Sequence, residues 1–173
     1  PRVVLRSLDG GDSQVLADSE ESDGRPSKLP RPEIMELKNR HGDRLYGAFY
    51  KAQSSAAGAK PLIVHVYGGP HAQRVLNAWS TSVDMRAQYW TTQGFHVLRL
   101  DNRGSANRGL VFEKALRHKT GVVEVEDQVD GVRFLIDRGD VDPRRVGVTG
   151  WSYGGYMTCM CLIHAPEIFK AGV

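Results

Sequence analysis

The residues best suited to chemistry stand together in Gly150-Trp151-Ser152-Tyr153-Gly154-Gly155. A serine with a glycine two positions before it and another two positions after it is the G-x-S-x-G pattern. In it a hydroxyl is raised on a sharp turn from strand to helix. A turn that tight forces strained dihedrals on the serine, so its close neighbours are glycines, which bring no Cβ. The spacing predicts a φ of about +60° at Ser152. It also places the hydroxyl at the positive end of the following helix and leaves the Tyr153 amide free to donate to an oxyanion. Nucleophilic attack on an acyl group is the reaction that such a serine performs. A chance match and a nucleotide-binding glycine loop are the competing readings. The second fails on spacing: Gly147, Gly150 and Gly154 do not form G-x-G-x-x-G, and no Gly-Lys-Ser/Thr occurs.

A second group, Tyr67-Gly68-Gly69-Pro70, follows an apolar run. In proteins with such an elbow the corresponding loop completes the oxyanion hole, usually through backbone amides. Here a tyrosine leads the loop and offers its hydroxyl as the second donor; read alone, Gly-Gly-Pro is an ordinary turn. No base for the serine stands out. In this class the acid and the histidine follow the serine along the chain, and only His164 and Glu167 follow Ser152. His164 falls on the helix that starts at the elbow, about 18 Å along its axis at ~1.5 Å per residue, beyond hydrogen-bond reach. It reads as a helix C-terminal residue. His65 and His96 fall in strands, and His41, His71 and His118 in loops or helix ends.

The elements that must position these groups alternate in type. Val3-Val4-Leu5 and Val15-Leu16 read as a hairpin about Asp9-Gly10-Gly11-Asp12. Residues 17 to 32, polar and Pro-rich, read as a linker. Ile34 to Lys38 and Leu45 to Tyr50 form a second hairpin about His41-Gly42-Asp43. The nearly continuous apolar run Pro61 to Tyr67 suits a strand covered on both faces. A helix is expected between Val83 and Thr92, a strand over Phe95 to Leu100, and a helix over Leu110 to Arg117. The next helix is expected to start at Asp127 as N-cap, with Asp130 in its first turn and Val129, Val132 and Ile136 on one face. Glu126 and Asp127 then read as capping residues rather than a carboxylate pair. Strand Arg145 to Thr149, the elbow, and a helix ending at Ala165-Pro166 complete the pattern. This rhythm predicts an α/β fold: a mostly parallel sheet with helices on both faces and right-handed crossovers.

Composition narrows the class. With 40% hydrophobic and 25% charged residues the chain reads as globular rather than disordered or fibrous. Its net charge of +3 is too mild and too scattered to argue for nucleic acid or an anionic membrane, so no nucleic-acid partner is expected. Cys159 and Cys161 point to different helix faces and read as small packing residues. No further soft ligands stand at metal spacing, and neither a metal nor an organic cofactor is expected. The stretch from Val146 to Pro166 lacks Asp, Glu, Lys and Arg, but Gly147, Gly150, Gly154 and Gly155 break it. It reads as strand, turn and helix rather than a membrane span. Arg103, Arg108 and Arg144-Arg145 read as solvated or ion-paired residues. Trp79, Trp90, Met85 and Met157 read as core or domain-contact residues.

Four motifs occur in a fixed order: Tyr67-Gly68-Gly69-Pro70, Asp101-Asn102-Arg103-Gly104-Ser105, Glu124-Val125-Glu126-Asp127-Gln128 and Gly150-Trp151-Ser152-Tyr153-Gly154-Gly155-Tyr156. Together they resemble the dipeptidyl peptidase IV branch of the prolyl oligopeptidase family. The resemblance covers residues 33 to 173. It implies an α/β-hydrolase peptidase domain there, incomplete after the nucleophile helix, with residues 1 to 32 as the closing piece of a β-propeller and a linker. It implies a serine peptidase with Ser152 as nucleophile, and the Tyr67 hydroxyl and Tyr153 amide as oxyanion donors. The Tyr153 ring would line a pocket for a penultimate proline or alanine. Peptide substrates, an N-terminal β-propeller domain and a homodimer belong to the same implication. The triad aspartate and histidine would lie beyond residue 173, and the glutamates that bind a substrate's free N-terminus would lie in the propeller.

The chain opens on Pro1-Arg2 and closes in what reads as a strand just starting, so it is expected to be a segment of a larger protein. Alone it is expected to be inactive, because nothing activates the serine, and only marginally stable. No leader or membrane segment lies in these residues, which favours a cytoplasmic location and leaves the compartment open. Acylaminoacyl peptidases, oligopeptidases, esterases and a non-catalytic hydrolase-fold interaction module are the alternatives.

Overall fold

The computed structural model describes residues 2–18, 29–54 and 57–173, and the chain divides into two compact units, Pro1–Pro30 and Arg31–Val173. In the first unit β1 (Arg2–Arg6) pairs antiparallel with β2 (Ser13–Asp18). The turn between them uses Gly10 at φ 84°, a left-handed conformation that glycine adopts without Cβ strain. Asp9 steadies the turn by accepting the Gly11 amide at 3.1 Å, and an Arg2–Asp18 ion pair joins the hairpin's open end. Val3, Leu5, Val15 and Leu16 all remain exposed. The expected linker begins inside this unit, since β2 runs to Asp18; residues 19–28 lie outside the described residues.

The second unit is built on a six-stranded sheet. Its strands are β3 (Glu33–Lys38), β4 (Arg44–Tyr50), β5 (Lys60–His65), β6 (His96–Asp101), β7 (Val141–Thr149) and β8 (Ala171–Gly172), in the spatial order β3-β4-β6-β5-β7-β8. The sheet is mixed, and the expected parallel majority is three pairings against two. β3–β4 and β4–β6 are antiparallel, whereas β6–β5, β5–β7 and β7–β8 are parallel. Connection length accounts for part of the division: β3 and β4 are joined by a tight turn with Gly42 at φ 87°, and parallel neighbours need the longer crossovers that helices provide. The helices are α1 (Trp79–Ser82), α2 (Met85–Thr92), α3 (Leu110–Glu113), α4 (Val123–Asp137) and α5 (Tyr153–His164), with a 3₁₀ turn at Lys114–Leu116. Among the described residues no helix is long and apolar enough to cross a membrane.

Alternation along the strands separates two cores. Leu62, Val64, Val66, Leu98 and Leu100 pack with Val125, Val129, Val132 and Leu135 of α4 and Met157 and Cys161 of α5. Val97, one residue out of phase with Leu98, turns to the other face and packs with Ala48, Tyr50 and Ala87 of α2. α4 and α5 therefore cover one face and α2 the other. Beside Trp90 on the α2 face, Ile63, Phe95 and Val173 line an apolar cavity of about 580 Å³.

Several boundaries differ from the sequence expectation. α4 begins at Val123, four residues before Asp127, so Asp127 is no N-cap; it lies inside the helix and is fully buried. The helix expected over Leu110 to Arg117 is a single α turn continued by the 3₁₀ turn. β7 begins at Val141 rather than Arg145, and α1 had no sequence signal. Of the residues expected in the core or at a domain contact, Met157 is fully buried, whereas Trp79 and Met85 are 47% and 63% exposed. Cys161 is buried as expected, while Cys159 is exposed.

Candidate active site

Ser152 sits between the end of β7 and the first residue of α5 with φ 58° and ψ −119°. For a residue with a Cβ this is a strained left-handed conformation, held by the packing around it. Much of that packing comes from glycine. A Cβ on Gly154 would lie 2.4 Å from the Val66 carbonyl oxygen, and one on Gly150 would lie 2.4 Å from Gly154 backbone and 2.5 Å from the same Val66 oxygen. α5 is thereby seated directly on the end of β5, where Tyr67 follows. Gly155 is under no such pressure, since a Cβ there would meet nothing nearer than 3.6 Å. The first turn of α5 closes with the Gly155 and Tyr156 amides donating to the Ser152 carbonyl at 2.9 and 3.2 Å. The Tyr153 amide has no acceptor among the described residues and stands at the helix's positive end. The Ser152 side chain is exposed.

The Tyr67 loop is fastened from below. Gly68, at φ 76°, packs against Met157 of α5, and its carbonyl accepts a hydrogen bond from Asn102 Nδ2 at 3.1 Å. Asn102 is fully buried and is itself held by Gln128 Nε2 at 3.1 Å. Asp101 accepts the amides of Arg74 and Val75 at 2.7 and 3.0 Å, pinning the far end of the same loop to β6. Gly69 fits between two rings: a Cβ there would lie 2.8 Å from the Tyr67 ring and 3.1 Å from that of Tyr153. The ring centres of Tyr67 and Tyr153 lie 6.2 Å apart. Residues separated by 86 positions are so brought to one place.

Glu124 anchors Tyr153. The carboxylate is fully buried; Oε1 accepts the Tyr153 hydroxyl at 2.7 Å and Oε2 accepts the Gly121 amide at 2.8 Å. Burial first, and then the Glu124 charge, push the Tyr153 phenol well above its ordinary range, so it stays a donor at any physiological pH. Burial, aided by the same carboxylate, pushes the Cys161 thiol up to about 12 and leaves it without thiolate character. The neighbouring carboxylates do not cap the helix. Asp127 receives Arg103 through its guanidinium and its amide, with Asn39 Nδ2 at 2.9 Å, and Glu126 pairs with Arg103 and His41. Sequence reasoning missed these roles of Asp101, Asn102 and Glu124. The available signal was a run of polar residues at positions where an ordinary strand end or helix face carries fewer.

The histidines have other surroundings. His41 and His71 pair with Glu126 and Glu113, His96 accepts the Ala52 amide, His118 faces Arg117, and His164 ends α5. His65 lies 3.7 Å from Asp84, and its ring meets Trp90 edge-on. Burial holds it down to about 4 despite the Asp84 charge, so it is neutral at pH 7. On the Trp151 side of the serine, Tyr67, His65, Arg74, Asp84, Arg86 and Trp151 enclose a cleft of about 640 Å³. No cluster of three metal-ligating side chains occurs among the described residues.

Residues 79–173, which hold the elbow and the Glu124 anchor, match the prolyl oligopeptidase family. The chain belongs to this family. It is 40% identical over 144 residues to human dipeptidyl peptidase 8, covering 82% of this chain and 16% of that protein. To mouse prolyl endopeptidase FAP it is 35% identical over 179 aligned positions, covering the whole of this chain and 23% of the relative. A solved structure from Bacteroides ovatus, provisionally described as a dipeptidyl aminopeptidase IV, superposes with a TM-score of 0.86 at 36% identity. It covers 99% of this chain and 24% of its own. The chain thus spans between a sixth and a quarter of the length of these family members. Its mixed sheet with flanking helices is the α/β-hydrolase type of fold seen in this neighbour.

Proposed function

We propose that residues 33–173 form the nucleophile-bearing part of a serine peptidase of dipeptidyl-peptidase type, which releases dipeptides with a penultimate proline or alanine. The strained Ser152, fixed between β7 and α5 with Tyr67 and Tyr153 gathered beside it, carries this reading. Ser152 attacks the scissile carbonyl, and the oxyanion that develops takes hydrogen bonds from the Tyr67 hydroxyl and the Tyr153 amide. The amine departs with a proton from a histidine, and water then releases the acyl group from Ser152. That histidine and its aspartate come from residues beyond 173, so the 173-residue chain alone is inactive. The Tyr153 ring, locked by Glu124, forms one wall of the pocket for the penultimate residue.

Residues 1–32 are proposed to end a β-propeller domain, a role supported by a hairpin that leaves its apolar side chains exposed. The full-length protein is proposed to form a homodimer. Two measurements test the central claim in that full-length protein: turnover of a Gly-Pro chromogenic amide, and covalent labelling by a serine-directed phosphonate. Both should be abolished by Ser152→Ala, and Gly-Gly substrates should be poor. Labelling or turnover that survives the substitution overturns the reading.

A further inference from the structure

The two neighbours of Ser152 face different surroundings. Tyr153 turns to Glu124 and the aromatic pair with Tyr67, whereas Trp151, 81% exposed, lines the 640 Å³ cleft. With the acyl residue on the Tyr153 side, the departing part of the substrate lies on the Trp151 side.

That cleft holds unbalanced positive charge. Asp84, the carboxylate on its wall, already accepts Arg99 at 2.8 Å and the Ala87 amide at 3.0 Å. Asp101, behind the loop, is occupied by the Arg74 and Val75 amides. His65 adds no charge at neutral pH. Arg74 and Arg86 line the same cleft, and their guanidiniums take part in no ion pair among the described residues. Arg74 carries its charge at a cost. Burial first, and then the nearby Arg99, press its pKa below the ordinary value, and its guanidinium stands 6.0 Å from the Tyr67 ring centre. An anion in the cleft relieves this repulsion, and a planar guanidinium matches a carboxylate with two parallel hydrogen bonds. A cleft of one sign with low-dielectric walls also draws such an anion in.

We propose that Arg74 and Arg86 form a carboxylate subsite on the leaving-group side of Ser152, selecting peptides whose departing segment carries an acidic group. This rests on the peptidase reading above. The carboxylate has two sources, the peptide's C-terminus or an acidic side chain, and the substrates separate them. In the full-length protein, kcat/KM is measured for Gly-Pro-Ala-Ala as free acid, for its carboxamide, and for the Gly-Pro-Glu-Ala carboxamide. One or both acidic peptides should be cleaved about tenfold faster than the neutral one, and the ratio should shrink as salt rises. Replacing both arginines (Arg74→Gln with Arg86→Gln) should bring the ratio to within about twofold of unity; the single replacements serve where the double variant does not fold. A wild-type ratio of one, or a ratio that survives the substitutions, overturns the subsite. A Gly-Pro chromogenic amide reports the serine separately. Its Ser152-dependent turnover alongside a ratio of one sinks the subsite alone, and turnover by Ser152→Ala sinks the peptidase reading itself.

Discussion

Two tyrosines lie side by side next to Ser152, and removing their hydroxyls one at a time should have opposite effects. Tyr153→Phe deletes the donor on which one oxygen of Glu124 depends, leaving a fully buried carboxylate with only the Gly121 amide. A hydrogen bond to a charged group contributes about 1.5–3 kcal/mol, and a buried acceptor stripped of its donor belongs toward the upper end. The Tyr153 ring is only half-buried, so water offsets part of the loss and about 2 kcal/mol remains. For a unit of this size that lowers Tm by about 6 °C. The Tyr67 hydroxyl has no hydrogen-bond partner among the described residues, so Tyr67→Phe should move Tm by no more than about 1 °C. In the full-length protein its kcat on a Gly-Pro amide should instead fall by about 10²–10³, the usual effect of losing one oxyanion donor. Thermal unfolding by circular dichroism and steady-state kinetics read the two effects. Equal losses of Tm in the two variants would refute the Glu124 anchor. A near-normal kcat for Tyr67→Phe would show that backbone amides hold the oxyanion unaided.

Gly154→Ala drives a Cβ to 2.4 Å from the Val66 carbonyl oxygen and should leave no folded protein. Gly155→Ala should be tolerated or stabilising by up to ~1 kcal/mol, and matching soluble yields and Tm values for the two would contradict the proposed seating of α5. Arg103→Ala leaves Asp127 buried without its countercharge and should cost about 3 kcal/mol, the low end for a broken buried pair because Asn39 and the residue-103 amide still donate. Arg103→Lys should recover little of this, as judged by denaturant midpoints. His65, held down to about 4 by burial, stays neutral in the folded chain over a range where the unfolded chain takes up a proton below its ordinary 6.5. Its contribution is therefore complete above pH 6.5 and lost as pH falls towards 4. Tm should decline more steeply with acid for the wild type than for His65→Gln; parallel curves assign the effect to other groups.

What could be read from the residues alone was whatever short-range spacing controls. The elbow needs only a strand, a serine between glycines and a helix, all within a dozen or so residues, so its strained φ followed from Gly150 to Gly154 without knowledge of the rest of the chain. The hairpins about Gly10 and Gly42 were legible for the same reason. The start of α4 was not. Glu124, Glu126 and Asp127 look like the solvated opening of a helix, and nothing local separates that from a buried anchor. Their partners Tyr153 and Arg103 stand 29 and 24 residues away, and only the folded sheet brings them near. The same holds for Asp101 and Asn102, whose place at the end of β6 sets them under the Tyr67 loop, and for the antiparallel pairing of β4 with β6. Trp151 and Tyr153 were adjacent letters of one motif, and the tertiary structure decided that one faces an arginine-lined cleft and the other a buried carboxylate. Local backbone geometry is dictated by near neighbours, but the environment of a charge is set by whichever distant segment packs against it.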